Sequence, residues 1–203
     1  MNAIALNSQL ASSVICTLIV SYVFARMSFS YTYKRFNEKY AAGKAQAPSI
    51  RSFKSLSKLL FVVSMLLTII GYWHTYSLIP IFHESMFFRY FGVAMVVIGF
   101  AYLQRSFEEL GDNYSPLFDA YIPKELVTDG VYSRIRHPIY LFNLFVSFGL
   151  AISSGSIVVL ACALVGFIFV LRAIYIEEAY LSSKFDQYIT YMKSTWRLVP
   201  HVY

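Results

Sequence analysis

The sequence is short of charge. Asp, Glu, Lys and Arg make up 14% of its 203 residues, where an ordinary soluble domain carries about 25%. Acidic residues are the scarcer sign, 11 against 17 Lys and Arg. Cysteine is nearly absent. Cys16 and Cys162 are the two, and both lie inside apolar blocks, which argues for small core residues rather than a disulfide or a metal site. The four histidines, His74, His83, His137 and His201, are widely scattered, so no Cys/His cluster has metal-ligand spacing and no metal is expected. There is no internal repeat and no low-complexity tract. No soluble basic domain exists to present the net charge of +6 to a nucleic acid, so that partner is excluded.

What is abundant is apolar. Hydrophobic residues make up 58% of the chain, and they fall in blocks of a length that crosses a bilayer, which takes about 20 residues. The blocks are Ile4–Ala25, Leu59–Ile79 (closed by Pro80), Met86–Leu103, Pro138–Ser153 and Ile157–Ile176. The first lacks a basic leader and a small-residue cleavage site, so it reads as a helix and not a signal peptide. "SSGS", Ser153–Ser156, reads as a tight turn joining the last two blocks. The expected fold is all-α: a polytopic membrane protein of about five transmembrane helices ending in a helical hairpin. Residues 1–203 form one membrane domain, with transmembrane helices in 1–104 and a cofactor-binding catalytic half in 105–203.

Basic residues fix an orientation. Arg26, Lys34, Arg35, Lys39, Lys44, Arg51, Lys54 and Lys58 crowd the first connection. Arg105, Lys124, Arg134 and Arg136 follow the third block, and Lys184, Lys193 and Arg197 occupy the tail; the "SSGS" turn has none. The N-terminus is expected outside and the C-terminus in the cytoplasm, in a bacterial inner membrane or an endoplasmic reticulum. Beyond Glu177, Leu181, Phe185, Tyr188 and Met192 recur at helical spacing. This predicts a helix running on to about Met192 along the interface, with Trp196 as a head-group anchor.

Two stretches carry potential chemistry. In "LVTDGVYSRIRHPIY", Pro138 suits the first turn of a helix. That places Arg136 and His137 at an N-terminus that attracts anions. The plainer reading makes Arg136 a charge at the membrane edge and His137 a capping residue. In "LRAIYIEEAYL", Glu177 and Glu178 follow a long apolar run, where ionisable residues are costly and often functional. The plainer reading is a solvated acidic pair near Lys184. The hairpin returns both stretches to the same side of the membrane. One half suits a carboxylate and the other an ammonium or sulfonium, and Tyr132 and Tyr140 supply aromatic faces. S-adenosylmethionine has that character.

The same residues resemble the isoprenylcysteine carboxyl methyltransferase and phospholipid methyltransferase family of integral membrane proteins. The matching pattern is Leu126-Val127, Gly130, Tyr132, Arg136-His137-Pro138, Tyr140, Glu177-Glu178, Leu181, Phe185, Tyr188, Tyr191 and Pro200. The resemblance implies an S-adenosylmethionine-dependent methyltransferase acting on a lipophilic acceptor, a prenylated cysteine or a membrane lipid, at the cytoplasmic interface. It implies Leu126, Val127, Gly130, Tyr132, His137, Pro138, Tyr140, Glu177 and Glu178 as cofactor residues. Arg136 and Arg172 would hold a substrate carboxylate, with Glu178 also in the catalytic group. A carboxylate acceptor needs no base at neutral pH, which fits the lack of a nucleophilic Ser/His or Cys/His set.

The chain departs from the pattern at Lys124, where a histidine is common, and at Phe142, where a small residue is common. It has Phe185-Asp186 in place of Phe-Gly. Arg172 lies five residues before Glu177 where the family often has four, a shift of about 100° around a helix. Two other readings stand beside the methyltransferase. Membrane sterol reductases, which use NADPH, share an Arg-His-Pro-x-Tyr element and an ending like "WRLVPHVY". The scaffold also admits a non-catalytic membrane protein.

Overall fold

The computed structural model describes residues 85–114, 123 and 125–203. The spans expected at Ile4–Ala25 and Leu59–Ile79 lie outside the described residues, as do Cys16, His74, His83, Lys124 and the basic first connection. The described part is helical. Its one piece of β geometry is an isolated parallel bridge between Ile135 and Trp196.

Helix α1 spans Met86–Leu110, seven residues past the apolar block. Those last residues are polar but hold the helix. Gln104 bonds Glu108 at 3.2 Å and Arg105 bonds Glu109 at 2.8 Å, both pairs one turn apart. Gly111, at φ 53°, ends it.

Helix α2, Pro138–Ser154, has Pro138 in its first turn and closes at Gly155, whose φ of 68° is left-handed. Gly155 supplies the conformation that a C-terminal cap needs. The Ser156 side chain then accepts from the backbone N–H of Val159 and caps helix α3, Ile157–Lys184. Among the described residues, α1 and α3 are long and apolar enough to cross a membrane, and α2 is a shorter apolar helix.

α1 packs on α2 through small residues. A side chain at Gly92 would meet the backbone oxygen of Gly149 at 2.6 Å, and one at Gly149 would meet Gly92's own oxygen at 2.8 Å. This close approach is a device of helix pairs in membranes. Arg89, fully buried, donates from Nη1 to the Ser153 and Ser154 carbonyls at 3.1 and 3.2 Å. Those carbonyls end α2 and have no partner within the helix. Val96 of α1 joins Val146, Leu150 and Ala151 of α2 and Val159 and Ala163 of α3 in one core cluster. A second joins Leu144, Val170 and Ile174 to Leu198 of the C-terminal segment. Phe87, Phe91, Ile98, Ile168 and Tyr175 point outward, an apolar surface suited to lipid.

The helix expected to reach Met192 does not. α3 stops at Lys184, Phe185 turns extended (φ −128°, ψ 108°), and a separate helix α4 covers Gln187–Ser194. No glycine or proline forces this break. The reason is tertiary: the turn lets Tyr188 sink to 1% exposure and brings the Tyr191 hydroxyl to the Tyr132 carbonyl at 2.5 Å. A straight helix would carry both rings away from the body of the protein. α4 therefore buries its aromatic face against the protein, and its outer face is mostly polar.

Candidate active site

The site begins where Leu126 and Val127, both half-buried, lead into a 3₁₀ turn at Gly130–Ser133. Gly130 sits at φ 58°, a conformation that favours glycine. Space demands glycine as well, because a side chain there would run into the Glu109 carboxylate. Glu109 accepts from the Val131 N–H at 2.6 Å and is braced by Arg105. Tyr132, the buried residue of this turn, is held at both ends. Its hydroxyl donates to the Ser106 carbonyl at 3.2 Å, and its own carbonyl accepts from Tyr191.

The Arg-His-Pro loop lies against the C-terminal segment. Trp196 N–H donates to Arg134 at 3.1 Å, Arg136 N–H to Trp196 at 2.8 Å and His137 N–H to Arg197 at 3.1 Å. Trp196 is thus a backbone partner of the loop, and its ring packs on His201 with centroids 4.5 Å apart.

The Arg136 side chain is turned inward. Nε donates to Glu178 Oε1 at 2.9 Å, and Nη1 donates to the carbonyls of Met192 (3.0 Å) and Thr195 and to Thr195 Oγ1. Glu178 Oε2 accepts from Arg197 Nε at 2.8 Å. One carboxylate therefore joins two guanidinium groups from adjacent strips of chain. Burial strips water from these charges, and the pairing with complete hydrogen bonding offsets that cost. The bond to Glu178 pushes the pKa of Arg197 up. Burial pushes the hydroxyls of Tyr132, Tyr188 and Tyr191 up too.

His137 sits between the two acids. Nε2 is 3.4 Å from Glu178 Oε1, and Nδ1 is 3.7 Å from Glu177 Oε2. Its ring lies 5.7 Å from that of Tyr140, whose hydroxyl faces the Glu177 carboxylate. Glu177 differs from its neighbour in one respect. Its Oε2 is buried and accepts no hydrogen bond from the described residues. The Tyr140 hydroxyl and the His137 ring are the groups that face this carboxylate, and its negative charge can also meet a cationic group.

Arg136, His137, Pro138, Tyr140, Glu177 and Glu178 thus come together, with Tyr132 one layer away. Arg172 does not join them. It is exposed on α3, and six residues of helix turn Glu178 about 120° from it. Three partners were not legible in the sequence: Glu109 beneath Gly130, Tyr191 on Tyr132, and Arg197 on Glu178. The signal for Arg197 was its place in "WRLVP", but its role depends on the bridge that brings it to the loop. Phe142 stacks on Tyr102 of α1, centroids 4.9 Å apart, at the α1–α2 contact.

A family model for phospholipid methyltransferases matches residues 87–188, half of the chain. No curated protein gave a match. Among solved structures, the chain is similar to a eukaryotic intramembrane Ras methyltransferase, isoprenylcysteine carboxyl methyltransferase. The two superpose with a TM-score of 0.59 at 23% identity, covering 77% of this chain. The match takes in 55% of that protein's chain, so this chain spans about half its length. The likeness is one of fold.

Proposed function

The chain belongs to the phospholipid methyltransferase family, and from that we propose that it is an S-adenosylmethionine-dependent methyltransferase of the membrane. In this reading residues 1–203 form one membrane domain whose 105–203 half binds the cofactor. The active site faces the cytoplasm, with the N-terminus outside. The acceptor is lipophilic, a prenylated cysteine or another membrane lipid, as the name of the structural relative suggests for that protein.

The observation that carries the reading is the buried, undonated Glu177 Oε2 beside His137 and Tyr140. This donor set fits a zwitterionic cation. Glu177 faces its positive charge, the tyrosine rings offer their electron-rich faces, and the first turn of α2 offers free N–H groups to its carboxylate. S-adenosylmethionine, when bound, supplies a methyl group on a sulfonium that an acceptor lone pair displaces. The protein's own part is placement and exclusion of water. Glu177 and Tyr140 bind; His137 orients Glu177. Arg136 and Glu178 hold the loop to α3 and act as positioning residues, because their hydrogen bonds run to each other and to Met192, Thr195 and Arg197. Arg172 has no part. The family match favours the methyltransferase over the NADPH reductase.

The test is calorimetric titration of the full chain in detergent with S-adenosylhomocysteine and, separately, with NADPH. Micromolar binding of S-adenosylhomocysteine is expected. Binding of NADPH alone would overturn the proposal, and binding of neither would favour a non-catalytic scaffold.

A further inference from the structure

We infer that Arg197, in the C-terminal segment, is a positioning residue for the cofactor site, acting through Glu178 and His137 and touching neither cofactor nor acceptor. The inference rests on the cofactor reading above and names a residue outside its binding set.

Arg197 reaches the site twice. Its carbonyl accepts the His137 N–H at 3.1 Å, which fixes the residue that precedes α2. Its Nε donates to Glu178 Oε2 at 2.8 Å, which fixes the adjacent position on α3. The segment around it is anchored. Leu198 is buried among Leu144, Val170 and Ile174, so its chain is held to both helices at once. The guanidinium also lies over the Tyr203 ring, 5.1 Å from its centroid. Arg197 therefore adds a second tie, beside the direct Arg136–Glu178 pair, between the loop that carries His137 and the helix that carries Glu177 and Glu178.

Its loss has a directional consequence. Without Arg197, Glu178 Oε2 has no donor, and the carboxylate turns toward those that remain. Those are Arg136, 2.9 Å from Glu178 Oε1, and His137, 3.4 Å from the same oxygen and 3.7 Å from Glu177. A shift of His137 toward Glu178 leaves Glu177 less oriented. The seat for the cofactor's cation is then disturbed although no contacting group has been removed. The effect falls on donor affinity, with the chemical step little changed.

The experiment compares R197Q, R197K and K193Q in the full chain. Lys193 is exposed on α4, so K193Q removes the same charge nearby without touching the network. R197Q is expected to bind S-adenosylhomocysteine about tenfold more weakly than wild type, as for a lost hydrogen bond to a charged group. The donor KM should rise with kcat within about twofold. R197K keeps a cation for Glu178 and recovers most of the loss, while K193Q matches wild type. R197Q that behaves like K193Q overturns the inference while wild-type binding stands. Should wild type fail to bind, the proposed function falls and this inference with it.

A measurement on wild type covers the case in which R197Q does not fold. Hydrogen exchange is followed across residues 134–137 and 195–203 with and without S-adenosylhomocysteine. Coupling is reciprocal, so the amides of Trp196 and His137, which join the segment to the loop, should gain protection together. Unchanged exchange in the segment would overturn the inference.

Discussion

At the residue scale, the two adjacent glutamates hold different jobs. Glu178 lies between Arg136 and Arg197 with its side chain 7% exposed. Glu177 is the freer group, with one oxygen undonated. Neutralising each should therefore give opposite signatures. E178Q leaves two guanidinium groups facing an amide. Arg197 is partly solvated, so the cost is toward the low end for a broken buried pair, about 3 kcal/mol, seen as a clear fall in thermal midpoint in detergent. E177Q should keep the wild-type midpoint within about 2 °C, a cost under about 1 kcal/mol, yet weaken S-adenosylhomocysteine binding about tenfold. Equal midpoints for the two variants would show that the ion network carries no stability. Sequence spacing alone could not separate these neighbours, because both fit a cation site until the arginines are placed.

At the scale of elements, glycine marks where backbones meet. Gly92 and Gly149 bring α1 against α2, and the atoms that a new methyl at Gly92 would strike are backbone atoms, which cannot rotate away. G92A should force the helices apart and cost about 1–3 kcal/mol. Gly166 lies in α3 with nothing within 4 Å of an added side chain. G166A should therefore be neutral or stabilise by up to about 1 kcal/mol, since alanine favours helix. Thermal midpoints of the two variants, measured side by side, check both signs. A G92A protein as stable as G166A would mean that the α1–α2 contact is looser than the glycines indicate. The helix starts were legible from Pro138 and from "SSGS", where local chemistry dictates the outcome. The end of α3 was not, because Phe185–Asp186 has no breaker of its own. Burial of Tyr188 and Tyr191 decides it.

At the scale of the whole molecule, three tyrosines lock the parts outside the spans together. Tyr132 joins the 3₁₀ turn to α1, Tyr191 joins α4 to that turn, and Tyr188, also of α4, packs edge-on against Tyr191. Burial raises the pKa of all three, so the fold holds them neutral. Their contribution is complete below the unfolded value of about 10 and is lost as pH rises toward the raised folded values. The thermal midpoint should hold steady below about pH 9 and fall from about pH 10 upward. Y191F, which lacks one of these hydroxyls, should show a shallower fall. An alkaline limb equal to wild type in Y191F would remove Tyr191 from this account.

The sequence by itself determined the class of protein. Charge scarcity and apolar blocks make α1 and α3 membrane-length helices. The spacing of Pro138, Gly155 and Ser156 sets where helices start and stop, because those signals act through local backbone geometry. It also held the family pattern, from Leu126 to Pro200. The tertiary structure alone decided the division of labour inside that pattern. It turned Arg136 inward, left Arg172 outside, recruited Glu109 and Arg197, and broke the last helix at Phe185. Each of those outcomes depends on which charge or ring meets which across 19 to 59 residues of chain. Periodicity describes one helix at a time, whereas a buried carboxylate is satisfied by whatever the packed fold brings to it.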